Sequence, residues 1–156
     1  MDGKIREIKR GQEDRCSGAL SEADLANLVD NAPKCQPGKS TVDGYGLIAA
    51  EPIAAREVII DFSDPQIYRE TTFDALESWR LEGGKYTGIS EQRCIVSDQM
   101  TKYSLLNHSR TPNAITHFKE RQVVALRNIQ PGEEVTVDYR RESVSPQAKA
   151  HIQHFL

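Results

Sequence analysis

The apolar positions of this chain fall into short runs of differing period. In SEADLANLVDN, Leu25, Leu28 and Val29 recur at helical spacing, Ser21 stands ready to cap and Asp24 completes a capping box. Pro33 and Pro37 are expected to end that helix. GLIAAEPIAAREVIIDF is rich in strand formers and is broken at Pro52 and at the turn-like AARE, so it predicts two strands, near 45–50 and 57–62. TTFDALESWRLEGG predicts a short helix with Phe73, Leu76 and either Trp79 or Arg80 on one face, stopped by Gly83 and Gly84. KYTGI and RCIVSD predict short strands. AITHFKERQVVALRNI predicts a hairpin with KERQ at or near its turn. Pro131 and Gly132 supply turn chemistry, and EVTVDY then alternates like a strand. SPQAKAHIQHFL closes the chain as a helix, with Ser145 as cap, Pro146 first in the helix, and Ala148, Ile152, Phe155 and Leu156 on one face. Residues 1 to about 20 show no clear period. Many short strands with a few helices predict a mostly β single domain.

Composition narrows the function classes. The 156 residues suffice for one domain with a real core. With 38% hydrophobic and 28% charged residues, the chain resembles ordinary soluble proteins. A net charge of −3 gives no electrostatic case for nucleic acid or an anionic membrane. The basic start, KIREIKR, is balanced by acidic residues close behind it. No apolar run approaches the roughly 20 residues that span a bilayer, and the N-terminus lacks the apolar core of a signal peptide. An intracellular location, cytoplasmic or nuclear, is therefore expected. Cys16, Cys35 and Cys94 fit no zinc or redox spacing and are expected as free thiols, with Cys94 buried in a strand.

The stretch NHSRTPN, residues 107–113, places much hydrogen-bonding capacity between two apolar segments. A metal is one possible purpose. His151 and His154 lie one helical turn apart, but no Cys or carboxylate obviously joins them, so no metal is expected. A nucleophile is another. Ser109 has no GxSxG elbow around it, and Cys94 has no basic or histidine partner in sequence. In DGYG, Gly44 and Gly46 allow close backbone approach to a small molecule, although such a pair is usually only a turn. It is not a dinucleotide fingerprint, because no helix follows.

Taken in order, GYGLIAAEPI, NHSRTPN, PGEE and VDY resemble the SET domain, the protein-lysine methyltransferase fold, from about Asp43 to Tyr139. The resemblance implies a mostly β fold of small sheets with a threaded C-terminal segment and a few short helices. It divides the chain into an N-terminal extension with one short helix (1–40), a SET domain (41–141) and a C-terminal helix closing the substrate channel (142–156). The implied reaction moves a methyl group from S-adenosylmethionine to a lysine ε-amine of a protein such as a histone, leaving S-adenosylhomocysteine. Gly44, Tyr45, Gly46, Asn107, His108 and Tyr139 match cofactor positions, with His108 expected to use its backbone. Ser109, Pro112 and Asn113 match loop-shaping positions. Tyr139 matches the catalytic tyrosine, and Phe62, Val137 and Phe155 are the expected substrate-pocket residues. VDY must pass beneath the loop before NHS, which would make that loop both a cofactor contact and a strut.

The chain also departs from the family pattern. Arg110 replaces a frequent cysteine, and Phe62 stands where a pocket tyrosine is usual. No cysteine cluster flanks the SET region, as in the lean viral and bacterial forms, and the C-terminal helix is the expected substitute wall. These departures keep an alternative in view, a SET-like protein-binding module with little or no activity. The expected partner is a protein or peptide with a target lysine, without direct nucleic acid or membrane contact. Glu51, Asp61, Asp64 and Glu70 could attract a basic peptide, or they form a solvated face.

Overall fold

Ser21 opens the first helix by the reciprocal bonds its sequence implies. Its hydroxyl accepts the Asp24 N–H, and the Asp24 carboxylate accepts the Ser21 N–H, both at 3.1 Å. This helix, α1 (Glu22–Ala26), is shorter than its apolar pattern suggests. The Asn27 side chain takes the Ala23 carbonyl at 2.9 Å and so competes with a further turn. Leu28 packs on the main core outside the helix, and Val29 bridges to Thr101. This computed structural model describes residues 21–83 and 85–152. Cys16, His154, Phe155 and Leu156 lie outside the described residues.

Among the described residues ten short strands follow: β1 (Cys35–Lys39), β2 (Tyr45–Ala49), β3 (Val58–Asp61), β4 (Tyr68–Thr72), β5 (Thr87–Gly88), β6 (Arg93–Ser97), β7 (Asn107–His108), β8 (Ala114–His117), β9 (Gln122–Ala125) and β10 (Glu134–Val137). They form three sheets, ordered β1-β2-β10-β7, β3-β9-β8 and β4-β6-β5. The mostly β architecture of small sheets matches the expected fold. The β8–β9 hairpin pairs His117 with Gln122 around the anticipated turn.

Two strands were hidden from the pattern. β1 contains Pro37 and Gly38, yet it pairs with β2 in full register. It survives as an edge, where a missing N–H is tolerated. β4 takes Thr71 and Thr72, so α2 covers only Ser78–Gly83. Cross-strand pairing of Thr71 with Cys94 overrides the helical reading of that segment. In α2 it is Arg80, not Trp79, that turns inward. Its guanidinium donates to the Ser97 carbonyl at 3.0 Å and to Asp98 and Glu77, and lies 4.4 Å from the Trp79 ring centroid.

Leu47, Ile53, Ile60, Phe62, Leu105, Val123, Ile129 and Val135 form the heart of the main core, all fully buried. Each such side chain contributes about 1.5–3 kcal/mol by leaving water. A smaller cluster joins Phe73, Leu81 and Cys94 to Val144 and Ala148. Ala148 belongs to α3 (Pro146–Ile152), and the Ser145 hydroxyl accepts its N–H at 3.1 Å, the cap expected from sequence. Most consequential is β10. It lies between β2, to which it is antiparallel, and β7, to which it is parallel. A parallel neighbour needs a long crossover, and the β8–β9 hairpin supplies it.

Candidate active site

The polar loop is spent on β10. Asn107 and His108 pair with Thr136 and Val137, and the Ser109 N–H donates to the Val137 carbonyl at 2.9 Å. Asn113 then closes over the same strand with its side chain. Its Nδ2 donates to the Glu134 carbonyl at 2.8 Å, and its Oδ1 accepts the Thr136 N–H at 2.9 Å. A buried strand must satisfy every N–H and C=O, and this loop does so with backbone at one end and a carboxamide at the other.

β10 runs directly into a 3₁₀ turn, Tyr139–Arg141. The Tyr139 N–H donates to His108 Nδ1 at 3.1 Å, and its hydroxyl donates to the Leu106 carbonyl at 2.5 Å. The two rings lie 5.3 Å apart. Because Nδ1 accepts, the neutral His108 ring carries its proton on Nε2, which is buried and finds no protein partner among the described residues. Burial holds the His108 pKa below its ordinary value, although Asp138 lies 3.7 Å away and opposes the shift. Asp138 is itself held down to about 2, chiefly by its bond to Arg140. The His108 ring thus orients the Tyr139 backbone, a role that sequence left open.

On the other side of β10, Gly44 has a φ of 48°, the left-handed region that favours glycine. Gly46 is required for a different reason. A Cβ there would sit 2.1 Å from Glu134 Oε1 and 3.2 Å from Asn107 Nδ2. The missing side chain therefore makes room for a polar cluster of the protein itself. Asn107 Nδ2 lies 2.8 Å from Glu134 Oε1, 3.1 Å from Ser40 Oγ, and 3.2 Å from the carbonyls of Asp43 and Tyr45.

The SET domain family model matches residues 44–140. This chain belongs to the SET domain family. Among similar proteins is the Debaryomyces hansenii histone-lysine N-methyltransferase, H3 lysine-4 specific, 29% identical over 143 residues that cover 83% of this chain and 13% of the relative. The Drosophila melanogaster histone-lysine N-methyltransferase SETD1 is 29% identical over 161 residues, covering 90% of this chain and 9% of the relative. The chain thus spans a small fraction of the length of these curated relatives. A solved structure of KRYPTONITE in complex with mCHH DNA, H3(1-15) peptide and SAH is 20% identical, with a TM-score of 0.49, covering 67% of this chain and 23% of that one.

Within this SET domain, β7 carries Asn107 and His108 beside the turn after β10 that carries Tyr139, while Tyr45 and Gly46 lie against the Asn107 amide and Gly44 sits in the turn before them. Phe62 and Val137 fall elsewhere than an open pocket surface. Phe62 is fully buried, its ring 4.6 Å from Tyr103 and 6.0 Å from Tyr68, and Val137 belongs to the same core. Tyr103 escaped the sequence reading. Its hydroxyl bonds Thr87 at 3.1 Å, and burial raises its pKa. The acidic face is largely engaged locally. Arg93 and Arg121 hold Glu70, Asp61 accepts from Ser63, and Asp64 accepts the Gln66 N–H.

Ser40 and Glu142 were also missed, and Glu134 was quoted within PGEE without a role. Ser40 opens the turn cluster STVDG, and Glu134 shares a strand face with Thr136, so composition and alternation together pointed near them. Glu142 had no signal. Its carboxyl oxygen accepts the Gly88 N–H, and burial pushes its pKa up to about 8. Cys35 and Cys94 are buried free thiols, pushed up to about 11 by burial and so unreactive. Among the described residues no cluster of three or more His, Cys, Asp or Glu is placed to hold a metal ion, and no helix is long and apolar enough to cross a membrane.

Proposed function

We propose that this SET domain is a protein-lysine methyltransferase that uses S-adenosylmethionine and acts on a lysine of a protein substrate, with histones the first class to test. The observation that carries the reading is the meeting of Asn107 and His108 on β7 with Tyr139 in the turn after β10, inside the span matching the family. Relatives named as histone-lysine methyltransferases support the substrate class.

The residues present fit the cofactor. Asn107 turns its amide nitrogen onto four protein oxygens, so its carbonyl oxygen is the atom left to accept from a cationic amine. The buried Nε2–H of His108 is a donor without a protein partner among the described residues. Gly44, Tyr45, Gly46, Asn107 and His108 would hold the cofactor, with Tyr139 beside them. When bound, S-adenosylmethionine supplies a methyl group activated on a sulfonium.

The protein's part is positioning. A lysine amine with a pKa of about 10.4 must arrive neutral to act as nucleophile, and an apolar channel favours that form. Tyr139 donates its proton to the Leu106 carbonyl, which fixes the phenol oxygen at the end of the strand where the amine would be aligned. Phe62 and Val137 belong to the core against which Tyr139 packs. The segment 142–156, including Phe155, would close the channel. Incubating the protein with radiolabelled S-adenosylmethionine and core histones should label a lysine. Cofactor binding without any label on a range of proteins would favour the binding-module alternative.

A further inference from the structure

We infer that Ser40 and Glu134 are positioning residues for cofactor recognition, holding the Asn107 carboxamide with its oxygen, not its nitrogen, toward the ligand. The inference rests on the function proposed above. The Asn107 nitrogen sits among a carboxylate, a hydroxyl and two backbone carbonyls. A flipped amide would press its oxygen against the carboxylate and both carbonyls, all acceptors, so one orientation is enforced. Among the described residues no donor reaches the Asn107 oxygen.

Ser40 organises the other partners. Its hydroxyl donates to the Glu134 carboxylate, 2.7 and 2.9 Å from its two oxygens. The same oxygen accepts the Val42 N–H at 2.8 Å and the Asp43 N–H at 3.1 Å. The Ser40 N–H donates to the Gly44 carbonyl at 2.8 Å. One residue therefore ties the Gly44 turn to Glu134 and, through Glu134, to Asn107. Gly46 leaves the space this cluster occupies. Ser40 precedes the stretch 44–140 that matches the family, so the family match does not include it.

Ser40 could affect binding through its turn alone, and a double-mutant cycle separates the two routes. S-adenosylhomocysteine is titrated calorimetrically into wild type, Ser40→Ala, Asn107→Ala and the double variant, with thermal melts verifying that each is folded. Ser40→Ala should weaken binding roughly fivefold in the wild-type background, the scale of one net hydrogen bond, and by less than about twofold when Asn107 is already alanine. Glu134→Gln, which keeps an acceptor oxygen, should bind more tightly than Glu134→Ala. An equal loss in both Asn107 backgrounds would assign Ser40 to its turn and overturn the proposal, as would no loss in either. If Asn107→Ala binds too weakly to close the cycle, the side-chain ¹⁵N amide signals of Asn107 decide. They should be sharp and slow to exchange in wild type and broadened in Ser40→Ala, and unchanged signals would overturn the proposal. A folded wild type that does not bind S-adenosylhomocysteine defeats the proposed function, and the inference with it.

Discussion

The Asn113 carboxamide oxygen accepts the Thr136 backbone N–H at 2.9 Å while its nitrogen donates to the Glu134 carbonyl at 2.8 Å. One side chain thus does for β10 what a peptide group of a neighbouring strand would do. Asn113→Ala leaves two backbone groups of a central strand unpartnered, at about 1–3 kcal/mol each. Urea denaturation should show a loss on the order of 2–4 kcal/mol. A loss below about 0.5 kcal/mol, the range of an ordinary surface change, would mean that water replaces the side chain at no cost.

Asn107→Ala should weaken S-adenosylmethionine binding by about 1–3 kcal/mol, the scale of a polar group left unsatisfied. Calorimetry is the measurement. Unchanged affinity in a folded variant would remove Asn107 from the cofactor site.

Glu142 makes stability depend on pH with an unusual sign. Burial keeps its carboxyl neutral in the folded protein up to about pH 8, whereas in the unfolded chain it ionises near about pH 4. Between those values the folded state holds the extra proton, so stability falls as pH rises through the window and levels off above it. The other titratable groups in its surroundings, Tyr86, Cys94 and Tyr103, are all shifted upward and stay neutral there. Glu142→Gln keeps an oxygen for the Gly88 N–H and removes the titration. Melting curves at several pH values should show wild type losing ground to the variant as pH rises. Parallel profiles would contradict this assignment.

The C-terminal helix is part of the structure as well as a candidate channel wall. Ala148 is fully buried beside Phe73, Leu81, Cys94 and Val144. Ala148→Asp forces a charge into that cluster and should cost on the order of 3 kcal/mol. Deleting 146–156 should lower both the melting midpoint and methylation. A truncated protein with full activity would show that the helix closes nothing.

Much of this was legible because local signals agreed. The Ser21–Asp24 capping box, the hairpin around KERQ, the alternation of EVTVDY and the Ser145 cap are contacts within a few residues, which local sequence can encode. β1 and β4 were hidden because partners far along the chain decide them, Leu47 opposite Pro37 and Cys94 opposite Thr71. The candidate site shows the same division. Asn107, His108 and Tyr139 stood out by motif. Ser40 and Glu134 meet across 94 residues of sequence, and no local pattern announces such a pairing.

Tyr139 is the side chain proposed to align the methyl acceptor. Its direct test is single-turnover mass spectrometry of a methylated histone or peptide, comparing wild type with Tyr139→Phe at equal cofactor occupancy. Losing one transition-state hydrogen bond, on the order of 3–4 kcal/mol, predicts a rate drop of roughly a hundredfold or more with cofactor affinity retained. An unchanged rate in Tyr139→Phe would reduce the tyrosine to a strut on the Leu106 carbonyl and contradict the account.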